Sequence, residues 1–291
     1  MPGLKEYREN KNAFSGVNAG SPATIDLPSD RGMIMSATWE YAEDGTPANE
    51  ATLIAGAPKS ELIIDGQVFS EYRTADVLKL NKFYGFGFKP GLLSHHFAQP
   101  WRRGVGESEA TALVASAHRE PSMRLYIEEG RVNPTLRQHI KSEGLGARGR
   151  GIVAAQPARS ANRVIKHWID IIQAKSSGST PTRYRYEGGG QRIRGFHFEG
   201  SNITAIRMEV DEQERWWYKS LDHLNIDLEN NGFFPQPDTW HVVFEAMGGT
   251  VESAFDPNYG GMSNEIDFEI YTSDTESVRM VVERYDTPAT K

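Results

Sequence analysis

Glu61-Leu62-Ile63-Ile64-Asp65-Gly66-Gln67-Val68-Phe69, followed by Tyr72-Arg73-Thr74-Ala75-Asp76-Val77-Leu78-Lys79-Leu80-Asn81 and Phe83, has a second rendering further along the chain. There the order is Ile206-Arg207-Met208-Glu209-Val210-Asp211-Glu212, then Tyr218-Lys219-Ser220-Leu221-Asp222-His223-Leu224-Asn225 and Phe233. Each rendering reads as an apolar strand, a polar turn and a short helix. Each is followed by a similar strand, Ser122-Met123-Arg124-Leu125-Tyr126-Ile127-Glu128 in one and Ser277-Val278-Arg279-Met280-Val281-Val282-Glu283 in the other. A recurrence at about 150 residues is too long for a solenoid unit and right for a duplicated domain.

Working outward from the first copy, Asp65-Gly66 is a hairpin signal, because a tight two-residue turn needs both central residues at positive φ. Thr74 is in place to cap a helix through Asn81, with Val77, Leu78 and Leu80 on its buried side. Strand signals cover residues 24–27, 33–41, 92–98, 111–118 and 122–128. A second set covers 182–187, 192–198, 203–210, 239–246, 266–272 and 277–284, with a helix over 220–229. Short strands with turn signals at intervals of about ten residues predict sandwiches, and a jelly roll accommodates a helix in one long connection. Between the sets, Val164, Ile165, Trp168, Ile169, Ile171 and Ile172 fall at helical spacing, which predicts one amphipathic helix over 160–174. The fold class is therefore all-β: two tandem jelly-roll β-sandwiches, a double jelly roll, with short helices in connections and one inter-domain helix. The domains read as an N-terminal arm over 1–20 with little structure of its own, a first jelly roll over 21–135, a linker with the helix over 136–180, and a second jelly roll over 181–291. The Gly-Arg run at 144–151 reads as flexible linker.

Composition narrows the function. The chain has 291 residues, enough for two ordinary domains with real cores. Its 32 basic and 39 acidic residues leave a formal charge of -7, which gives no support for a dominant nucleic-acid surface. The chain has no cysteine, so disulfides, thiolate metal sites and cysteine nucleophiles are excluded. The charged N-terminus lacks the apolar region of a secretory signal, and no run is long enough to span a bilayer, so synthesis in the cytoplasm is expected.

Each candidate site has a plain structural reading beside it. Glu265, Asp267 and Glu269 alternate with Ile266, Phe268 and Ile270, which puts three carboxylates on one face of a strand. They are either a solvated face or ligands for a hard cation such as calcium. His95-His96 cannot jointly bind one ion, because neighbours on a strand point to opposite faces. His197, between Phe196 and Phe198, lacks the second histidine of a cupin-type site, which weakens a bicupin reading. Trp216-Trp217 and Trp240 are a possible sugar platform or core packing, and the alternative function is a carbohydrate-binding or carbohydrate-active tandem sandwich. Gly188-Gly189-Gly190 precedes no helix and reads as a turn. Arg131, Arg137, Arg148 and Arg150 are a small basic stretch, either a lipid or nucleic-acid contact or a solvated linker. Phe83-Tyr84-Gly85-Phe86-Gly87-Phe88 is a contact loop or a core closure. No motif for a catalytic site is present, so no catalytic residue is assigned and the chain is read as non-enzymatic.

The residues also resemble a family. The Glu61–Leu78 segment, Leu93-Ser94-His95-His96-Phe97-Ala98-Gln99-Pro100, Arg192-Ile193-Arg194-Gly195-Phe196-His197-Phe198, the strand from Ala205 and the closing Ile266-Asp267-Phe268-Glu269-Ile270 are similar, in order, to the major capsid proteins of corticoviruses. These are bacterial viruses with an internal membrane. The resemblance implies a double jelly-roll coat protein, three chains to a capsomer of pseudo-sixfold outline, and an icosahedral shell around a lipid vesicle. It implies neighbouring capsomers and a vertex protein as partners, the membrane as a further one, no specific nucleic acid, and structural calcium in the shell. Location in the virion after synthesis in the bacterial host cytoplasm follows from the same resemblance. The 43–59 loop, the 83–88 stretch, the Gly-Arg run and the 248–261 loop depart from the family.

Overall fold

The computed structural model describes residues 5–10, 14, 16–28, 33–99, 111–118, 120–143, 164–175, 180–187, 192–244, 255–257 and 265–286. The chain divides into two compact units, the first reaching Lys166 and the second covering His167–Asp286.

In chain order the first unit contains β1 (Lys5–Asn10), β2 (Pro22–Asp26), β3 (Met33–Glu43), β4 (Thr46–Pro47), α1 (Glu50–Gly56), β5 (Lys59–Ile64) and β6 (Gln67–Arg73). Then come α2 (Thr74–Phe83), β7 (Leu92–His96), β8 (Leu113–Val114), β9 (Ser122–Tyr126) and β10 (Pro134–Glu143). One sheet runs β1-β10-β3, with β4, β7 and β8 sharing the far edge of β3; the other runs β2-β9-β5-β6. Trp39 and Tyr41 of β3, Leu62 and Ile64 of β5, Leu93 of β7 and Met123 and Leu125 of β9 form one buried core. Helix α1 joins it through Leu53, and Asn49 caps that helix by accepting from Thr52 N at 2.9 Å. Gly56 ends α1 where a Cβ would lie 2.6 Å from the Tyr41 hydroxyl, so only glycine lets the helix approach β3 this closely.

The second unit contains β11 (Val164–Ala174), which crosses the division, β12 (Thr182–Arg185), β13 (Ile193–Glu199), β14 (Ile203–Val210), β15 (Gln213–Tyr218), α3 (Leu221–Asn230), β16 (Thr239–Val243), β17 (Ile266–Thr272) and β18 (Glu276–Asp286). Its sheets run β11-β18-β13-β16 and β12-β17-β14-β15. The core is aromatic: Phe268 lies 4.8 Å from Phe196 and 5.0 Å from Phe198 between ring centroids, both edge-on, the favoured arrangement of ring quadrupoles.

The two strand orders are one topology written twice. Replacing β1, β10, β3 and β7 by β11, β18, β13 and β16, and β2, β9, β5 and β6 by β12, β17, β14 and β15, maps one unit onto the other. Each unit contains the same eight strands of an antiparallel jelly roll, to which the first adds the two-residue strands β4 and β8, with a helix in the same connection, α2 after β6 and α3 after β15. The all-β double jelly roll expected from the sequence is the fold.

Five readings need correction. Residues 164–174 form a strand instead of a helix; Val164, Ile165, Ile169, Ile171 and Ile172 are β-branched, and the apolar side chains lie on both faces of an edge strand. The arm expected to carry little structure contributes β1, paired with β10 from Lys5↔Glu143 to Asn10↔Gln138. Strand β10 itself lies in the stretch expected to be linker. The third pair of similar segments is not a structural pair: the equivalent of β9 is β17, and that of β18 is β10. Thr74 is not a cap either. Arg73 holds the cap position of α2 without a side-chain bond, and the Thr74 hydroxyl donates to the Ala57 carbonyl. The Gly-Arg run and Gly188-Gly189-Gly190 lie outside the described residues.

Candidate functional site: polar sheet faces and a buried histidine cluster

The carboxylate strand β17 has the predicted facing, with Ile266, Phe268 and Ile270 buried in the core and Glu265, Asp267 and Glu269 on the opposite side. Its neighbours supply arginines. Glu269 stands opposite Arg183 of β12 and Arg207 of β14, and accepts from them at 2.8 and 3.1 Å. The Tyr271 hydroxyl also donates to it, at 3.3 Å. Burial by itself would raise the Glu269 carboxyl, but the Arg207 and Arg183 guanidiniums outweigh it and hold it below the usual range. Arg185 reaches both Asp267, at 3.0 Å, and Glu265, also at 3.0 Å. Arg207 bridges further to Glu209 at 2.8 Å and Glu214 at 2.9 Å.

Such a face does not fit calcium. Calcium requires several carboxylate oxygens converging on one point, and here those oxygens are engaged by three guanidiniums whose charge repels a cation. Among the described residues, no group of three or more histidine or acidic side chains is arranged to hold a metal ion. The repulsion between parallel carboxylates is relieved by cross-strand arginines, the sheet counterpart of helix ion pairs.

The tryptophans divide. Trp240 and Trp216 are core residues, 1% and 9% exposed, so of the two readings core packing is the one the fold takes for them. They sit on β16 and β15. Trp217 faces outward at 44% exposure, with Lys219 Nζ 4.0 Å from its ring centroid. Adjacent histidines separate as the strand geometry demands. His95 faces inward, 3.2 Å from the Ser60 hydroxyl, while His96 stacks on Phe86 at 4.1 Å and is pushed down to about 4 by burial and then by Lys141. Phe83 and Tyr84 are buried and Phe88 packs on the first core, so the aromatic-glycine stretch closes that core. Arg131 donates to the Ala55 carbonyl at 3.1 Å and Arg137 is exposed on β10; Arg148 and Arg150 lie outside the described residues.

The sequence reading left His197 without partners. It stands opposite His241 across β13 and β16. The two Nδ1 atoms are 2.8 Å apart, and His197 Nε2 is 3.1 Å from Glu283 Oε2 on β18. Arg194 donates to Glu283 Oε1 at 3.1 Å, from the irregular position where β13 slips against β18. All four side chains are at most 3% exposed. Burial pushes the Glu283 carboxyl up, but Arg194 and His197 prevail and hold it well below the ordinary carboxylate range. Three of these residues come from separate strands, so no sequence motif joins them; the only local signal was a polar residue between two core phenylalanines.

Comparison with known proteins bears on the whole chain. The family model for the viral coat protein P2 N-terminal domain matches residues 8–142, and that for the viral coat protein P2 C-terminal domain matches residues 168–288. The crystal structure of the major capsid protein P2 from bacteriophage PM2 is similar with a TM-score of 0.76 at 16% identity, over 98% of both chains. A chain of Sulfolobus turreted icosahedral virus gives 0.66 at 11% identity, over 98% of this chain and 92% of that one. One from the PBCV-1 virus capsid gives 0.65 at 11%, over 97% and 94%. At such identities these structures speak for the fold alone. Among curated proteins, none matches the chain by sequence.

Proposed function

Because the chain belongs to the viral coat protein P2 family, with both domain models matched, we propose that three copies assemble into one capsomer of pseudo-sixfold outline. The chain is a major capsid protein and part of the virion shell, a structural protein rather than an enzyme. The finer reading has capsomers tiling an icosahedral shell around an internal membrane, with a vertex protein as a further partner and synthesis in the host cytoplasm.

One observation carries the trimer: the same eight-stranded topology occurs twice in one chain. Three chains then supply six similar units, so one kind of lateral contact repeats around a hexagonal outline. The membrane part of the reading rests on the family resemblance.

Sedimentation velocity on purified protein, followed by electron microscopy at assembly concentration, tests the reading. A trimer that forms hexagonal particles is expected. A chain that stays monomeric at every concentration and salt condition overturns the trimer. Assembly into closed shells that neither bind nor require vesicles overturns the membrane part while leaving the trimer standing.

A further inference from the structure

We infer that the second jelly roll contains an acid-sensitive latch, in which the His197–His241 pair holds the loop before β16 while both imidazoles are neutral and releases it when the pair gains a proton.

Donor counting fixes the neutral arrangement. His241 Nε2 accepts from the Gln236 backbone N–H at 3.3 Å, so it carries no proton. A neutral imidazole has one N–H, which must then be on Nδ1, facing His197 Nδ1 at 2.8 Å. His197 Nδ1 is therefore the acceptor, and its own proton is on Nε2, donated to Glu283 at 3.1 Å. The chain of bonds runs in one direction, from the Gln236 amide through both rings to a carboxylate held by Arg194.

An added proton breaks that order. If it enters on His197 Nδ1, His241 must accept at Nδ1 and carry its own proton on Nε2. If it enters on His241, Nε2 is the position that takes it. In both cases an N–H then faces the Gln236 N–H. Keeping Nε2 bare instead sets two Nδ1–H groups against each other. Gln236 lies between Pro235 and Pro237, neither of which has an N–H, so its amide is the one backbone donor of that tripeptide.

Burial sets the direction of the response. Glu283 from β18 and Arg194 from β13 are already paired at 3.1 Å in a dry site, so a proton on the imidazole pair is a further charge to bury there. His167 on β11 also acts electrostatically on Glu283, in the same sense as Arg194. Further along the same face, Glu199 and Arg279 pair at 3.1 Å. Other bonds of the loop do not titrate: Phe233 N donates to Leu228 O, the Gln236 side chain to Phe234 O, Thr239 Oγ1 to Pro237 O, and Gly200 N to Asp238 O. Phe234 is 59% exposed, so release would move an apolar side chain already at the surface. On the polar face of β3 and β7 in the first unit, Thr38 and Ser94 share a hydrogen bond of 2.9 Å where the second unit has its imidazole pair, and the nearby His139 meets Glu40 at 3.2 Å.

Hydrogen–deuterium exchange on the full chain, at about pH 7.5 and about pH 5.5 and corrected for intrinsic chemistry, tests the latch. Peptides spanning residues 232–239 are expected to exchange at least about five-fold faster at the lower pH, with residues 50–57, which span α1 of the first unit, as the unresponsive control. His241→Gln, whose amide oxygen accepts from Gln236 without titrating, is expected to remove the difference. Equal protection at both pH values, or a full acid response in His241→Gln, overturns the proposal. Should that variant fail to fold, nitrogen NMR of 15N-histidine-labelled wild type decides: a bare Nε2 on His241 at neutral pH supports the latch, and a protonated one overturns it.

Discussion

Asp65-Gly66 and Asp211-Glu212 make the same turn in the two units. All four central residues have positive φ, 52° and 78° in the first hairpin, 51° and 62° in the second. Both hairpins slip by one residue at the same distance from the turn, at Leu62/Ile63 and at Met208/Glu209. Beyond the backbone the copies diverge. The second turn places a glutamate where the first has glycine. The second helix is capped by the Ser220 hydroxyl, which accepts from Asp222 N at 3.2 Å, where Thr74 caps nothing. On the outer face the central ion pair is reversed in sign. Glu61 of β5 faces Arg124 of β9, whereas Arg207 of β14 faces Glu269 of β17. The duplication has kept what the backbone requires and left free what is symmetric under exchange: attraction between opposite charges does not depend on which strand carries which sign.

The sharpest way to break this comparison is to convert one copy's pair into the other's. Arg207→Glu alone leaves Glu269, 5% exposed, against a like charge, and is expected to lower stability in urea unfolding by about 2–3 kcal/mol. Adding Glu269→Arg recovers only part of this, because the new arginine meets Arg183, where the first unit has Thr24. The triple exchange, with Arg183→Thr as well, reproduces the first unit's residues on three of the four strands of the row and is expected to come within about 1 kcal/mol of wild type. If the triple variant is as unstable as the single one, the rows are not interchangeable.

Next in size is the turn. Gly66→Glu gives the first hairpin the second's residue and is expected to cost about 1–1.5 kcal/mol, since a side chain in the left-handed region meets the following carbonyl. Ser220→Ala removes the cap that α2 lacks and is expected to cost about 1 kcal/mol. Glu212→Gly runs the other way, a gain of about 0.5 kcal/mol, with relief of strain partly offset by the freer unfolded chain. Thermal unfolding of all three against wild type checks both signs and order.

The hairpin and its helix were legible in sequence because the signals were local: a turn dipeptide, alternating apolar residues and a helix-start residue within a few positions. Strand β11 was not, because Val164, Ile165, Trp168, Ile169, Ile171 and Ile172 satisfy a helical period as well as an edge strand with apolar groups on both faces. Strand β10 was hidden by polarity: Gln138 and Ser142 are as buried as Ile140, so its inward face does not look apolar. The alternation of Glu265, Asp267 and Glu269 was read correctly as one face. The arginines beside it were not legible, because Arg183, Arg185 and Arg207 arrive from strands distant in sequence, and only the sheet register brings them beside β17.

That register makes the smallest expected effect the most discriminating. If the β17 carboxylates were calcium ligands, removing their charge would abolish any rise in melting temperature that calcium produces. With their oxygens engaged by arginines the expected outcome is the opposite: Glu265→Gln/Asp267→Asn should show the same calcium response as wild type, to within about 1 °C. The comparison is between variant and wild type, so it holds whatever calcium does elsewhere in an assembled shell. Asp267 is partly exposed and its partner Arg185 side chain is 53% exposed, so loss of the pair itself should be small. A calcium-dependent shift that disappears in the variant would mean that the arginines give way to the ion, and the charge reversal between the two units would then be a difference in ligand chemistry instead of a neutral exchange of sign.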